Sequence, residues 1–439
     1  MPQTVRRANV PEPAPPKYDD FPARTGRFAM LHDPARHEAL EAIAWDESRV
    51  RATIAHIVDE TVRAFSPDTL WPVHPRDLSP TDDPDAPATC LYFGAAGVAW
   101  ALDYLGAGGA ATLSATDLDA LRDRNRHWLA GEDGGTAGSY LMGDLPIGMM
   151  AWQREPTAAR ADTIAALIAS NIDHPARELM WGSPGSLLAA QLMHRRTGDE
   201  RWATLFRSIA QRLREQLCWS ERQACHYWSQ ELYGQHVRYL DAVHGFVATA
   251  RALIQGRHLL AADDWLEWQA CIETTIANTA IREDGRATWP VQADEPPGTR
   301  QKWLMQFCHG APGFVICLAD LPGTALDALL VEAGEAAWAA GPLAKGSNLC
   351  HGTAGNAYAF LVLLARTGDT RWRDRARAFA MHAIAQFEQE TASAGRLRHS
   401  LWTGDIGLAI FLRDCLREKA LFPTLDVFFG EPDQRRSTR

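Results

Sequence analysis

The sequence predicts an all-α protein, a seven-fold α/α toroid with inner and outer layers of seven helices and a small β-hairpin insertion. Three observations predict it. A Gly-x-x-Gly element, or a near match to one, recurs seven times, with first glycines at 94, 143, 182, 245, 310, 352 and 404. Each copy leads into a short run that is small and apolar nearly all round, as a buried helix requires. Between the copies lie charged segments whose apolar residues recur at i, i+3, i+4 and i+7, as on half-exposed helices. Intervals of 39 to 65 residues leave room for two helices and two loops, near the period of helical-pair repeats.

The copies justify themselves in order. Gly94-Ala-Ala-Gly97 opens Val98-Ala-Trp-Ala-Leu, and Gly143-Asp144-Leu145-Pro146 opens Ile-Gly-Met-Met-Ala-Trp. Gly182-Ser-Pro-Gly185 and Gly245-Phe-Val-Ala248 follow, then Gly310-Ala-Pro-Gly313, Gly352-Thr-Ala-Gly355 and Gly404-Asp-Ile-Gly407. A glycine in the entry loop accepts unusual backbone angles, and a second at the helix start lets backbones approach. Thr197-Gly198-Asp199 and Thr367-Gly368-Asp369 mark equivalent turns between helices, each followed by a charged step and a tryptophan. If the pairs close into a ring, the glycine-rich loops gather at one end, where residues of different repeats can meet. Arg282-Glu-Asp-Gly-Arg-Ala-Thr-Trp-Pro-Val carries an Asp-Gly turn and an extended run, the expected β-hairpin beside that end.

The organisation expected is a Pro-rich N-terminal arm over 1–36, the toroid over 37–425 and a tail over 426–439. The arm sets Pro2, Pro11, Pro13, Pro15, Pro16 and Pro22 among charges without helical period, and such a segment buries too little apolar surface to offset its ordering entropy. A net charge of −10 argues against nucleic-acid and anionic-membrane partners. No apolar run reaches the roughly 18 to 20 residues of a membrane span, and the N-terminus shows no signal-peptide pattern. The eight cysteines form neither a disulfide scaffold nor a CxxC pair, which points to free thiols plus metal ligands in a cytoplasmic protein. The 16 tryptophans suit a wide core and the lining of a cleft. HExxH and a strand-following GxGxxG are absent.

Two cassettes carry the chemistry, Phe307-Cys308-His309-Gly310-Ala311-Pro312-Gly313 and Leu349-Cys350-His351-Gly352-Thr353-Ala354-Gly355-Asn356-Ala357-Tyr358. Cys308 and Cys350 each stand two residues before the first glycine, so they share one register in two repeats, and His351 adjoins the second. Together they offer three protein ligands to zinc, the number a catalytic site uses while keeping a position open. His309 also follows a cysteine and remains an alternative ligand. His244 holds the same register in a third repeat and is a candidate acid or base. Asp144 and Asp405 each follow a first glycine, where they either serve the site histidine and the substrate or favour the helix start.

These cassettes resemble the lanthionine synthetase C family, with Ala242-Val243-His244-Gly245 and Leu141-Met142-Gly143-Asp144 matching two further family elements; the resemblance runs from about Ala88 to Leu416. It implies one zinc held by Cys308, Cys350 and His351, His244 as the acid/base histidine and Asp144 as the carboxylate working with it. It also implies addition of a thiol to dehydroalanine or dehydrobutyrine residues of a peptide or protein, giving a thioether. Lys345-Gly-Ser-Asn-Leu-Cys350-His351 looks closer to the glutathione-using branch, in which Lys345 would bind a glutathione carboxylate, with His309 also facing substrate. Against the family pattern, Pro146 and Ala248 replace second glycines, and Asp241 stands three before His244, where a small residue is more usual. A non-catalytic zinc- and glutathione-binding scaffold is the competing expectation. An α/α-toroid glycosidase leaves the Cys-His register unexplained.

Overall fold

The computed structural model describes residues 31–78, 86–132, 135–293 and 303–430. The expected arm lies outside the described residues up to residue 30, as does the expected tail from residue 431. Seven helices form an inner ring: α2 (Ala95–Leu105), α4 (Asp144–Arg154), α6 (Ser183–Thr197), α8 (Phe246–Gln255), α10 (Ala311–Leu318), α12 (Thr353–Thr367) and α14 (Asp405–Arg417). Every one starts at the Gly-x-x-Gly elements and is buried around most of its circumference. Seven more form the outer layer: α1 (Glu47–Arg63), α3 (Ala115–Leu129), α5 (Ala158–Ser170), α7 (Glu200–Glu215), α9 (Ala262–Thr279), α11 (Asp327–Ala340) and α13 (Arg371–Ala394).

Closure is made at both levels. Inner helix α14 packs on α2, and α1, the first α-helix among the described residues, covers α14, the last. Helices α1 and α14, far apart in the sequence, therefore complete one repeat. The paired glycines act through space. At Gly310 φ is 119°, and an added Cβ would stand 2.0 Å from the Leu304 carbonyl oxygen. At Gly355 a Cβ would stand 1.8 Å from the carbonyl oxygen of Leu349 in the preceding loop. These positions bring each entry loop hard against its own helix.

The predicted hairpin is β5 (Ile281–Glu283) with β6 (Arg286–Thr288), turning at Asp284–Gly285. Two further hairpins went unread in the sequence: β1 (Cys218–Ser220) with β2 (Cys225–Tyr227), and β3 (Gln230–Leu232) with β4 (Gln235–Val237). Their strands are three residues long, too short for a period to register.

Both expected boundaries shift. Arg36 and His37 already bind the body, through Ala344 N–H to the Arg36 carbonyl and His37 Nδ1 to the Gly341 carbonyl. The tail was expected from residue 426, yet Asp426, Val427, Phe428 and Phe429 are buried. Phe422 stacks on Phe307 at 4.2 Å and lies 5.0 Å from the Tyr358 ring and 5.6 Å from Trp402. Asp426 pairs with Arg251 of α8, the Phe428 carbonyl accepts from Trp100 of α2, and the Thr424 carbonyl from Tyr140. The segment Leu421–Phe429 thus fills the bore of the ring, because a closed ring of seven helices leaves an axial space that its own short side chains do not fill.

Candidate metal centre and its flanking histidines

The loops that enter the inner helices are tied to one another by backbone. The N–H two residues before the first glycine donates to the carbonyl of the equivalent residue in a neighbouring repeat: Tyr92 to Leu141, Leu141 to Met180, Cys308 to Cys350, Cys350 to Trp402, and Trp402 to Tyr92. This ladder sets the cysteine register. Cys308 and Cys350 are adjacent rungs, 3.1 Å apart from N–H to carbonyl oxygen.

The result is a three-donor group. Ligand atoms of Cys308, Cys350 and His351 all lie within 4.8 Å of one another. Zinc–sulfur and zinc–nitrogen bonds of about 2.0–2.3 Å give tetrahedral edges of about 3.5–3.8 Å, so the group fits one such ion. Both thiols are buried, and hydrogen-bond donors surround them. Tyr92 O–H donates to Cys350 Sγ at 2.9 Å, and Gln306 Nε2 donates to Cys308 Sγ at 2.9 Å. The Cys308 thiol, hydrogen-bonded to Cys350, is pushed well up by that bond and by burial. Its proton holds the Cys350 thiol down, with help from Tyr92 and the Lys345 ammonium against burial. Donors aimed at sulfur are what a thiolate ligand needs from its surroundings.

Beside the sulfurs stand two imidazole–carboxylate pairs. His244 Nδ1 is 2.9 Å from Glu178 Oε2, and Glu178 is fully buried. Burial lowers the His244 pKa, but the Glu178 bond and charge, with Asp241, raise it to about 9. His309 Nδ1 lies 2.8 Å from Asp241 Oδ2, an ion pair without hydrogen-bond alignment. Burial opposes the cation there too, and Asp241 raises the His309 pKa nonetheless. The two rings sit 6.2 Å apart, with Tyr239 6.0 Å from one and 5.7 Å from the other.

The carboxylates have a structural origin. In four of the seven repeats the side chain four residues before the first glycine caps its own loop. Ser139 accepts from the Met142 N–H, and Asn348 from the His351 N–H. Glu178 accepts from Met180 and Trp181 N–H, and Asp241 from Val243 and His244 N–H. In those two repeats the capping group is an acid, and its second face reaches the histidine of the next repeat.

Asp144 is placed differently from the expected role. Its carboxylate accepts from Asn125 Nδ2 at 3.0 Å and from Arg126 Nη2 at 3.0 Å. Burial raises its pKa against those bonds. The carboxylate on His244 is Glu178, which sequence reasoning missed; the signal available was its place four before Gly182, matching Asp241 before Gly245. Tyr92 was missed as well, though it holds the cysteine register in the first repeat. Asp405 opens α14 without capping it, and burial pushes its carboxyl up to about 7. Lys345 is exposed, on the loop leading to Cys350.

A cavity of about 340 Å³ opens at Ala344 and Gly346, on the loop that leads to Cys350, and is not lined by the Cys-His group. Gly346, Arg76, Arg396, Arg398, Glu390 and Asp405 are among its walls, so both signs of charge meet there. Gly346 adjoins Lys345, which connects the cavity to the cysteine loop. Among the described residues, no helix is long and apolar enough to cross a membrane.

The family model described as lanthionine synthetase C-like protein matches residues 81–427. The chain is 35% identical over 137 residues to glutathione S-transferase LANCL1 of Danio rerio, covering 30% of this chain and 33% of that protein. It is 33% identical over 157 residues to LanC-like protein GCL1 of Arabidopsis thaliana, covering 34% of each. The chain thus spans about a third of the length of these relatives. Nisin cyclase superposes with a TM-score of 0.53 over 85% of this chain and 95% of its own, at 15% identity, a likeness of fold.

Proposed function

Because the chain belongs to the lanthionine synthetase C-like family, we propose that it catalyses zinc-dependent addition of a thiol to dehydroalanine or dehydrobutyrine residues, giving a thioether. The carrying observation is the meeting of Cys308, Cys350 and His351 from two repeats beside a histidine that a buried glutamate keeps cationic. When bound, zinc supplies the positive charge that lets a substrate thiol ionise near neutral pH.

The chain's own residues supply the rest. Attack of sulfur on the β-carbon leaves an enolate that needs a proton at the α-carbon. His244, charged against Glu178, is a donor of suitable strength at neutral pH. Asp241 holds the backbone of His244 and the ring of His309 at once, so both imidazoles face the substrate in fixed orientation. Asp144, committed to Asn125 and Arg126, supports the loop, and its expected role passes to Glu178.

Glutathione or a peptide cysteine can bring the thiol. The mixed-charge cavity at Gly346 favours glutathione, whose two carboxylates and one ammonium need both signs of partner, with Lys345 taking a carboxylate. Eight free cysteines suit a reducing, cytoplasmic setting. Mass spectrometry of a dehydroalanine peptide incubated with glutathione and the zinc-loaded protein tests the reading. A thioether adduct formed at an enzyme-dependent rate is expected. Zinc binding without any adduct from glutathione or a cysteine peptide defeats it in favour of the scaffold.

A further inference from the structure

The tip of the β3–β4 hairpin is built against its own turn chemistry. The chain reverses at Tyr233–Gly234 with φ of 51° and 72°. The β5–β6 hairpin reverses at Asp284–Gly285 with the same φ values, 51° and 72°. Two-residue turns with both central φ positive favour Asn-Gly or Asp-Gly, as β5–β6 uses. An aromatic residue in that first position is an outlier, since a bulky side chain disfavours positive φ. Strain of this kind persists where function asks for it.

What the tyrosine does there is visible. Its residue is 66% exposed, the most exposed of the large hydrophobics among the described residues. Yet its hydroxyl is anchored: it accepts from Trp181 Nε1 at 3.2 Å, and its O–H faces Met180 Sδ at 3.8 Å. Met180 and Trp181 occupy the register of the cysteines and histidines in the other repeats, so the hydroxyl stands on the same ring of loop residues. The tyrosine ring lies edge-to-face with His244 at 6.4 Å. Glu231 N–H donates to the Pro175 carbonyl, and Arg177 to the Ser229 carbonyl, fastening the hairpin over this loop. A thioether is a weak acceptor, so the O–H is available to a stronger one.

We propose that Tyr233 is a catalytic residue whose ring covers the dehydro residue above His244 and whose hydroxyl donates to that residue's amide carbonyl oxygen. This rests on the addition reaction proposed above. As the sulfur–carbon bond forms, the alkene pair moves onto the carbonyl oxygen, and the Tyr233 hydrogen bond strengthens there. A proton delivered to the α-carbon restores the carbonyl. Tyr233 keeps its own proton, the thiol S–H has added across the double bond, and nothing is oxidised.

Two variants of the zinc-loaded protein test it with a short dehydroalanine peptide and glutathione. Tyr233→Asn installs the favoured turn residue, so its Tm equals or exceeds wild type while kcat/KM falls by about 100-fold. Tyr233→Phe keeps the ring, so KM holds within about two-fold while kcat falls by about 10-fold or more. A Tyr233→Asn enzyme with wild-type kcat/KM overturns the assignment while the reaction stands, and wild-type kcat in Tyr233→Phe overturns the hydroxyl's role. Fluorescence anisotropy of the labelled peptide without thiol separates the two ideas. If wild type forms no thioether, the reaction has failed, and peptide binding weakened about 10-fold in Tyr233→Asn still supports the contact. Equal binding, or none by wild type, overturns it.

Discussion

Replacing Glu178 with glutamine removes one negative charge from beside His244 while keeping the side chain's length. In the wild type the histidine's pKa rises from 6.5 to about 9, against burial, chiefly through this carboxylate. At about 1.4 kcal/mol per pKa unit, that rise is worth about 3 kcal/mol in favour of the cation. Without it, burial pulls the pKa back toward 6.5 or below, with Asp241 and Cys308 the remaining opposing influences. At pH 8 about nine-tenths of wild-type His244 is cationic, against about 3% for a pKa of 6.5. Protonation of the enolate then slows by about 30-fold at pH 8. The deficit shrinks as pH falls, because below 6.5 both enzymes hold the proton. The assay is kcat for thioether formation from pH 5.5 to 9.5, expressed as the ratio of variant to wild type. That ratio should climb toward one on acidification. Stability follows the same sign: a raised histidine pKa contributes fully below 6.5 and is lost as pH rises through about 9, so the gap in Tm should close on the alkaline side. A pH-independent ratio would refute the reasoning, since a merely structural role for Glu178 as a loop cap costs the same at every pH.

Other outcomes are equally specific. Wild type should bind one zinc and Cys350→Ala should bind none, read by metal analysis after dialysis, and the variant should form no thioether adduct. Asp405→Asn isolates a buried carboxyl whose pKa stands at about 7. The native state holds that proton and the unfolded state releases it, so wild type loses up to about 4 kcal/mol between pH 4 and 7 that the variant does not. Urea melts at pH 5 and pH 8 should therefore favour the variant more at pH 8. Phe422→Ala, in the segment filling the bore, should cost about 3–5 kcal/mol in urea unfolding, because the ring is fully buried among Phe307, Tyr358 and Trp402.

The ring was readable because its rule repeats. Gly-x-x-Gly before an apolar run marks each inner helix, and the outer helices show their amphipathic period. The shared register of Cys308 and Cys350 made their meeting a geometric consequence of closure. What escaped had no repeated mark. The segment from Asp426 reads as a tail, since it gives no helix or strand signal, and the burial of its first four residues depends on an axial space that exists only once seven helices have closed. Glu178 escaped for the opposite reason: Glu178-Leu-Met-Trp181 reads as ordinary loop, and its partner is 66 residues away in the chain. Asp144 was matched through a neighbouring glycine, a sequence context that cannot distinguish a carboxylate turned toward the site from one turned toward Asn125 and Arg126.

The same ladder that places the Cys308–Cys350–His351 group also explains why the acids sit where they do. Five rungs pass the N–H of one loop to the carbonyl of a neighbour. The ladder departs from this pattern at Met180 and Val243, whose N–H groups turn instead to Glu178 and Asp241. An acid accepting its own loop's N–H groups satisfies donors that the ladder would otherwise have used, so the loop stays ordered without that rung. It also brings a buried negative charge to the rim, which needs a cation, and the next repeat supplies a histidine in each case: His244 for Glu178 and His309 for Asp241. Where the residue at that position is instead neutral, as with Gln306, whose Nε2 donates to Cys308 Sγ, no acid competes for the following imidazole, and His351 is left beside the Cys308–Cys350 pair. One loop position, filled by an acid or an amide, thus separates two carboxylate-paired histidines from a third of equal register that stands with the cysteines.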